Sequence, residues 1–251
     1  MTVSRTGRIA FAALVALLTA CSSRAPRYDQ MTADQLLTLG QAEVAEEEWD
    51  NAVRALEQFI FQFPTDPRYQ EARLLLGQVY FDRGEYITAA NEFARLAADF
   101  PNGPNADDAR FKVCESYYEL SPQPQLDQEY TRAAIDHCQS LLAYYPDSEF
   151  APRATEMIDD LERKLAEKLF EAGEHYFRRH AWDSAIKYYD EVIDQYAATP
   201  IAPRALLRLY QTYVQLGYND EAQQARERLL RDFPTSEEAA TIRDVALADP
   251  G

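Results

Sequence analysis

The sequence predicts an all-α protein built as a stack of about five helical hairpins, and three observations carry that expectation. A small residue, an alanine twelve positions on and a proline twelve beyond that recur along the chain. Only 8 of the 251 residues are glycine, too few for a turn-dense β chain or for glycine-rich phosphate loops. The stretch from Ala151 to Arg178 has no proline after Pro152 and a single glycine, so it reads as one long helix. Hydrophobic residues make up 47% of the chain, enough for a core and outside the range of disordered compositions.

Charge narrows the function classes. Asp and Glu number 42 against 25 Lys and Arg, a formal net charge of −17. A nucleic-acid binder needs a basic face to release counterions from phosphate, and a basic patch is likewise needed to adhere to anionic lipid. Neither suits this chain.

The N-terminal residues 1–20 read as a signal peptide. Arg5 and Arg8 precede the apolar run Ile9 to Leu18, which is too short for the roughly 20 residues of a spanning helix. Leu18-Thr19-Ala20-Cys21 resembles a bacterial lipobox. That resemblance implies lipidation at Cys21, and the following Ser22 leans toward the outer membrane. Several acyl chains together anchor stably where one does not. Residues 21–32, polar and interrupted by Pro26, read as a lipidated tether.

The repeats follow in order. Copy one has Gly40, Ala52 and Pro64, and copy two has Gly77, Ala89 and Pro101. Copy three has Cys114, then Ala134 and Pro146 after an insertion of eight residues. Copy four has Gly173 and Ala185, with Ala197 in place of proline, and copy five has Tyr210, Ala222 and Pro234. These positions resemble the tetratricopeptide pattern, in which paired antiparallel helices cross closely through small residues. Proline then ends the second helix by pushing the preceding residue out of α geometry. Aromatic residues Tyr80, Tyr117, Tyr176 and Tyr213 sit three after the small position, but copy one has Glu43 there. The expected fold is thus an α-solenoid with a long helix joining repeats three and four. Residues 33–150 would hold repeats one to three, and residues 151–251 the bridging helix with repeats four and five.

Chemistry is scarce. There is no G-x-S-x-G, Walker loop, dinucleotide fingerprint or H-E-x-x-H. His175 and His180 lie five apart, off a shared helix face, and with His137 they are expected to be exposed helix and turn residues. Asp159, Asp160, Glu162 and Glu167 read as a solvated face. No enzyme, metal or cofactor is expected. Cys114 and Cys138 fall on facing positions of repeat three. An exported protein can keep a disulfide, and free cysteine is also a common small core residue; both readings stand.

Binding is therefore the expected work, on the groove side of the first helices. Residues three before and four after each small position are Leu37 and Val44, Leu74 and Phe81, Phe111 and Tyr118, Phe170 and Phe177, Leu207 and Val214. Asp34, Glu71, Asp108, Glu167 and Arg204 sit six before. This describes an apolar floor with mostly acidic edges. The other reading of the ten positions is core between neighbouring hairpins.

The lipobox, five repeats, insertion and long helix, in that order, resemble the BamD family of outer-membrane lipoproteins that assemble β-barrel proteins. The closest local match runs Tyr145-Pro146-Asp147-Ser148-Glu149-Phe150, then Ala154, and on to Tyr176 and Ala181-Trp182. The resemblance implies a non-enzymatic scaffold, lipid-anchored on the periplasmic face of the outer membrane. It implies contact with the periplasmic domains of a β-barrel insertase through the C-terminal repeats, for which Tyr176, Trp182, Lys187, Arg204 and Arg208 are candidates. It further implies the C-terminal signals of unfolded outer-membrane proteins as ligands, taken in the substrate groove by Leu37, Val44, Leu74, Phe81, Phe111 and Tyr118, and accessory lipoproteins as partners. The alternative is a periplasmic tetratricopeptide lipoprotein that coordinates cell-wall synthesis with envelope constriction.

Overall fold

The computed structural model describes residues 27–243. The expected signal peptide, Cys21 and the first half of the tether, to residue 26, lie outside the described residues. Those described are helical, with no strand among them. They divide into two compact units, one ending at Tyr69 and one beginning at Gln70. This boundary falls earlier than 150/151.

The first unit holds α1 (Ala33–Ala45) and α2 (Trp49–Gln62). Thr32 starts α1 with a capping box: its Oγ1 accepts from the Gln35 amide, and the Gln35 side chain accepts from the Thr32 amide. Such reciprocal caps satisfy two otherwise orphaned donors. Gly40 lets α2 approach, because a Cβ there would lie 2.8 Å from Leu56 Cδ2. Glu43, where other copies carry an aromatic, accepts a hydrogen bond from Asn51 Nδ2 at 3.2 Å. After α2, Arg68 grips Asp66 through its backbone amide, Nε and Nη2 and reaches Asp34 at 2.6 Å. The Arg68 hydrogen bonds hold the Asp66 carboxyl down at about 2.

The second unit contains α3 (Tyr69–Asp82), whose first residue precedes the boundary, α4 (Tyr86–Asp99), α5 (Ala106–Leu120), α6 (Glu129–Tyr144), α7 (Ala151–Arg178), α8 (Trp182–Gln195), α9 (Ala202–Leu216), α10 (Asn219–Asp232) and α11 (Glu237–Ile242). From α4 to α10 each helix packs on the next. The long helix α7 has the predicted bounds and serves two cores. Ala154, Met157 and Ile158 join the Phe111 cluster, whereas Ala166 and Phe170 join the cluster around Tyr189. That double packing keeps repeats three and four within one compact unit.

One interlock recurs in four of the five hairpins. The small residue of the first helix meets the residue four after the alanine of the second. A Cβ at Gly77 would lie 2.5 Å from the Phe93 ring, and one at Gly173 would lie 2.5 Å from the Tyr189 ring. Gly40 meets Leu56 in the same register. In hairpin three the same two positions carry Cys114 and Cys138, which form a disulfide with Cα atoms 4.8 Å apart. A covalent bond thus occupies the place of a glycine-on-ring contact.

The turns share a second register. The residue seven after the small position has positive φ in four hairpins: Glu47 at 59°, Gly84 at 77°, His180 at 57° and Gly217 at 71°. The left-handed region costs a residue with a Cβ about 1 kcal/mol. Glu47 is exposed, so Glu47→Gly is expected to stabilise the chain by about 0.5–1 kcal/mol. Chemical denaturation of the two proteins checks this; a less stable variant would show that the Glu47 side chain does more than turn the corner.

The insertion in hairpin three forms a stapled loop. Gln128, 1% exposed, donates from Nε2 to the carbonyls of Gln123 and Leu126 and accepts from Thr131 Oγ1 at 2.6 Å. Lys164 and Lys168 of α7 donate to Ser121 and to the Leu126 carbonyl, and Gln125 reaches Glu171. The loop is therefore docked along α7.

Candidate interaction surfaces

Most of the positions expected to floor a groove are used for packing. Leu37 and Phe111 are 4% and 5% exposed, and Phe111 stacks on Phe150 at 4.8 Å. Leu74 and Phe81 pack against the cluster containing Phe93. Tyr118 packs beside Phe111 and donates its hydroxyl to Asp160 at 3.0 Å. Val44 is half-buried. Phe170 is buried, Phe177 and Leu207 are half-buried, and only Val214 of the ten is exposed. Of the two readings open in the sequence, core between hairpins describes these residues better. An amphipathic stripe alone does not reveal whether a neighbouring hairpin or a ligand covers it.

Two sequence expectations need correction. Of the four α7 carboxylates read as a solvated face, only Asp159 is exposed. Asp160 takes the Tyr118 hydroxyl and pairs with Arg163, Glu167 pairs with Arg204 at 3.1 Å, and desolvation with the charge of Asp159 raises the Glu162 pKa. Neighbouring elements cover this side of α7, which helical periodicity does not report. His175 and His180 are exposed, but His137 is half-buried and stacks on Tyr117 at 4.6 Å. Burial lowers the His137 pKa against the opposing charge of Asp136, with the Arg110 charge adding to the depression.

The C-terminal candidates divide in two. Arg204 and Arg208 tie α9 to α7. Arg204 pairs with Glu167 and lies over the Phe170 ring at 4.4 Å. Arg208 donates to both oxygens of Glu174 at 2.7 and 2.9 Å and to Gln211, and it lies over Phe177. Glu174 also accepts the hydroxyl of fully buried Tyr189 at 2.7 Å. Burial and this hydrogen bond push the tyrosine far above its ordinary pKa. Tyr176, Trp182 and Lys187 instead belong to the α7–α8 hairpin. Tyr176 stacks on Tyr188 at 5.4 Å, and Trp182 packs edge-on against Phe177 and His180. Lys187 is exposed and has no ion pair among the described residues.

The motif most telling in the sequence is a clamp. Tyr145 donates its hydroxyl to the Pro101 carbonyl, Ser148 Oγ donates to Asp107 Oδ2 at 2.8 Å, and Phe150 stacks on Phe111. It locks the α6–α7 corner back onto the preceding helices. The family model YfiO, described as an outer membrane lipoprotein, matches residues 29–240. The chain belongs to this family.

Among curated relatives, the outer membrane protein assembly factor BamD of Rickettsia prowazekii is 31% identical over 110 residues, which cover 44% of each protein. BamD of Caulobacter vibrioides is 32% identical over 108 residues, covering 43% of this chain and 35% of that protein. BamD of Vibrio cholerae is 32% identical over 101 residues, 40% of this chain and 42% of that one. Each match thus spans less than half of the relative's length. Among solved structures, the TPR2AB domain of yeast Sti1 in a pHSP90 complex has a TM-score of 0.44 at 16% identity, covering 82% of this chain and 80% of that one. The TPR domain of P58(IPK) also has a TM-score of 0.44 at 16% identity, covering 96% and 59%.

Among the described residues no group of three His, Cys, Asp or Glu could hold a metal, and no helix is long and apolar enough to cross a membrane. One cavity escaped the sequence reading. Ala94, Ala97 and Ala98 of α4, Arg110 and Val113 of α5, and His137 and Ser140 of α6 line a space of about 180 Å³. Its members come from three helices, so no local motif could announce it. The only local sign is on α6, where Tyr130, His137 and Tyr144 recur every seven residues.

Proposed function

We propose that this chain is a non-enzymatic scaffold of outer-membrane protein assembly, lipid-anchored through Cys21 on the periplasmic face. It contacts the periplasmic domains of a β-barrel insertase through the α7–α8 hairpin, and it takes up C-terminal signals of unfolded outer-membrane proteins; accessory lipoproteins are further partners. The observation that carries this reading is the family match over residues 29–240, together with three BamD relatives at 31–32% identity. Side-chain geometry refines the contact. Arg204 and Arg208 already serve carboxylates of α7, so an insertase is left with exposed Lys187 and the edges of the Tyr176–Tyr188 stack and Trp182. Aromatic residues beside a free cation are the residue types that dominate binding hot spots.

The test is co-purification from gently solubilised outer membrane, using a C-terminally tagged full chain. Recovery of a barrel protein with repeated periplasmic domains is expected. Lys187→Glu should release that partner without changing the melting temperature. Arg208→Glu should lower the melting temperature as well, because it sets a carboxylate against Glu174. Recovery only of cell-wall synthases or constriction proteins would sink the reading and favour the alternative.

A further inference from the structure

Arg110 is an unusual cation in this molecule. It is half-buried, and no carboxylate lies within ion-pair distance among the described residues. Its Nη1 donates to Ser140 Oγ at 3.0 Å, and its guanidinium lies 4.3 Å from the Tyr144 ring centroid and 5.9 Å from that of Tyr145. Its Nε is buried with no hydrogen-bond partner. In a chain of net charge −17 a covered guanidinium left without an anion runs against both the bulk charge and the usual pairing of buried charges.

The same guanidinium lines the 180 Å³ cavity between α4 and α6. Three alanines and Val113 supply an apolar wall, while Ser140 and the His137 ring complete the rim. Burial lowers the His137 pKa, and Arg110 is the one arginine or lysine among the lining residues. For scale, a cavity of about 150 Å³ can hold a six-membered ring, so the space suits one bulky apolar side chain. Exposed aromatics extend the surface on both sides. Tyr130, 41% exposed, and Tyr144, 66% exposed, flank His137 on α6, and fourteen residues of helix span about 21 Å. Tyrosine and arginine around an apolar pocket are the usual anchors of a protein interface.

We propose that this cavity is a docking site for a partner protein segment that passes across α6, placing a single glutamate or aspartate side chain on Arg110 and an adjacent bulky apolar side chain against Ala94, Ala97 and Ala98. One guanidinium suits a monovalent anion. The aromatic surface on both sides suits a continuous segment better than a chain end. The site is separate from the α7–α8 surface and rests on none of the assembly reading.

The test uses the purified full chain and fluorescent peptides blocked at both ends, carrying one glutamate between two leucines. The glutamate peptide is expected to bind about tenfold more tightly than its glutamine counterpart, the size of one charge-assisted hydrogen-bonded contact. Arg110→Gln should remove that difference. Ala98→Leu, at an exposed position on the cavity wall, should weaken both peptides alike with an unchanged melting temperature. The Ala98 variant keeps the test intact if Arg110→Gln fails to fold. Equal binding of the two peptides, no binding by either, or binding only of peptides with a free terminal carboxylate would each overturn the proposal.

Discussion

Gly173→Leu is expected to lower the unfolding free energy by about 2 kcal/mol, because a Cβ at this position already falls 2.5 Å from the Tyr189 ring. That ring cannot step aside. Tyr189 is fully buried, its ring tilts against Phe170, and its hydroxyl is held by Glu174. Overpacking a tight core costs about 1–3 kcal/mol, and the better helix propensity of leucine returns under about 1 kcal/mol. The melting temperature should fall by about 4–8 °C in a domain of this size. Tyr189→Ala alone should cost about 4 kcal/mol through its cavity. The double variant decides the argument: leucine at 173 can occupy the space left by the ring, so the two costs should fall well short of adding. Additive losses would mean that Gly173 is not a contact position.

Replacing Cys114 and Cys138 together with alanine should remove about 3 kcal/mol of stability by freeing a loop of 24 residues in the unfolded chain. Alanine is the better substitution because both sites are 0% exposed, where a serine hydroxyl would add its own desolvation cost. Unfolding in denaturant with and without reductant measures the effect. Oxidised wild-type chain should be the most stable, reductant should bring it near the alanine variant, and reductant should leave that variant unchanged. Equal stability of all of them would show that the pair acts only as two small core residues.

These two sites show how far the sequence could be read. The register of Gly40, Gly77, Cys114 and Gly173 against Ala52, Ala89, Ala134 and Ala185 was plain, because close helix crossing demands small residues at fixed spacing. The long helix was equally plain, since an uninterrupted proline-free run leaves few other conformations. The facing of Cys114 and Cys138 could be read from their places in repeat three, but what the three glycines meet was hidden. Leu56, Phe93 and Tyr189 are ordinary apolar positions until two helices are placed side by side.

The candidate binding residues were less legible. Leu37, Phe111 and Phe170 looked like a groove floor, yet they are buried. Arg204 and Arg208 looked like free cations at a partner surface, yet Glu167 and Glu174 on α7 already take them. Lys187 remains exposed on α8.

Length, periodicity and charge by themselves determined that this chain is helical, repeat-built and ill-suited to nucleic acid, because those properties follow from local spacing and composition. Whether a given apolar or charged side chain serves the core or faces a partner was decided by tertiary structure alone. Burial is a property of pairs of elements, and Arg110 acquires its cavity only when α4, α5 and α6 meet around it.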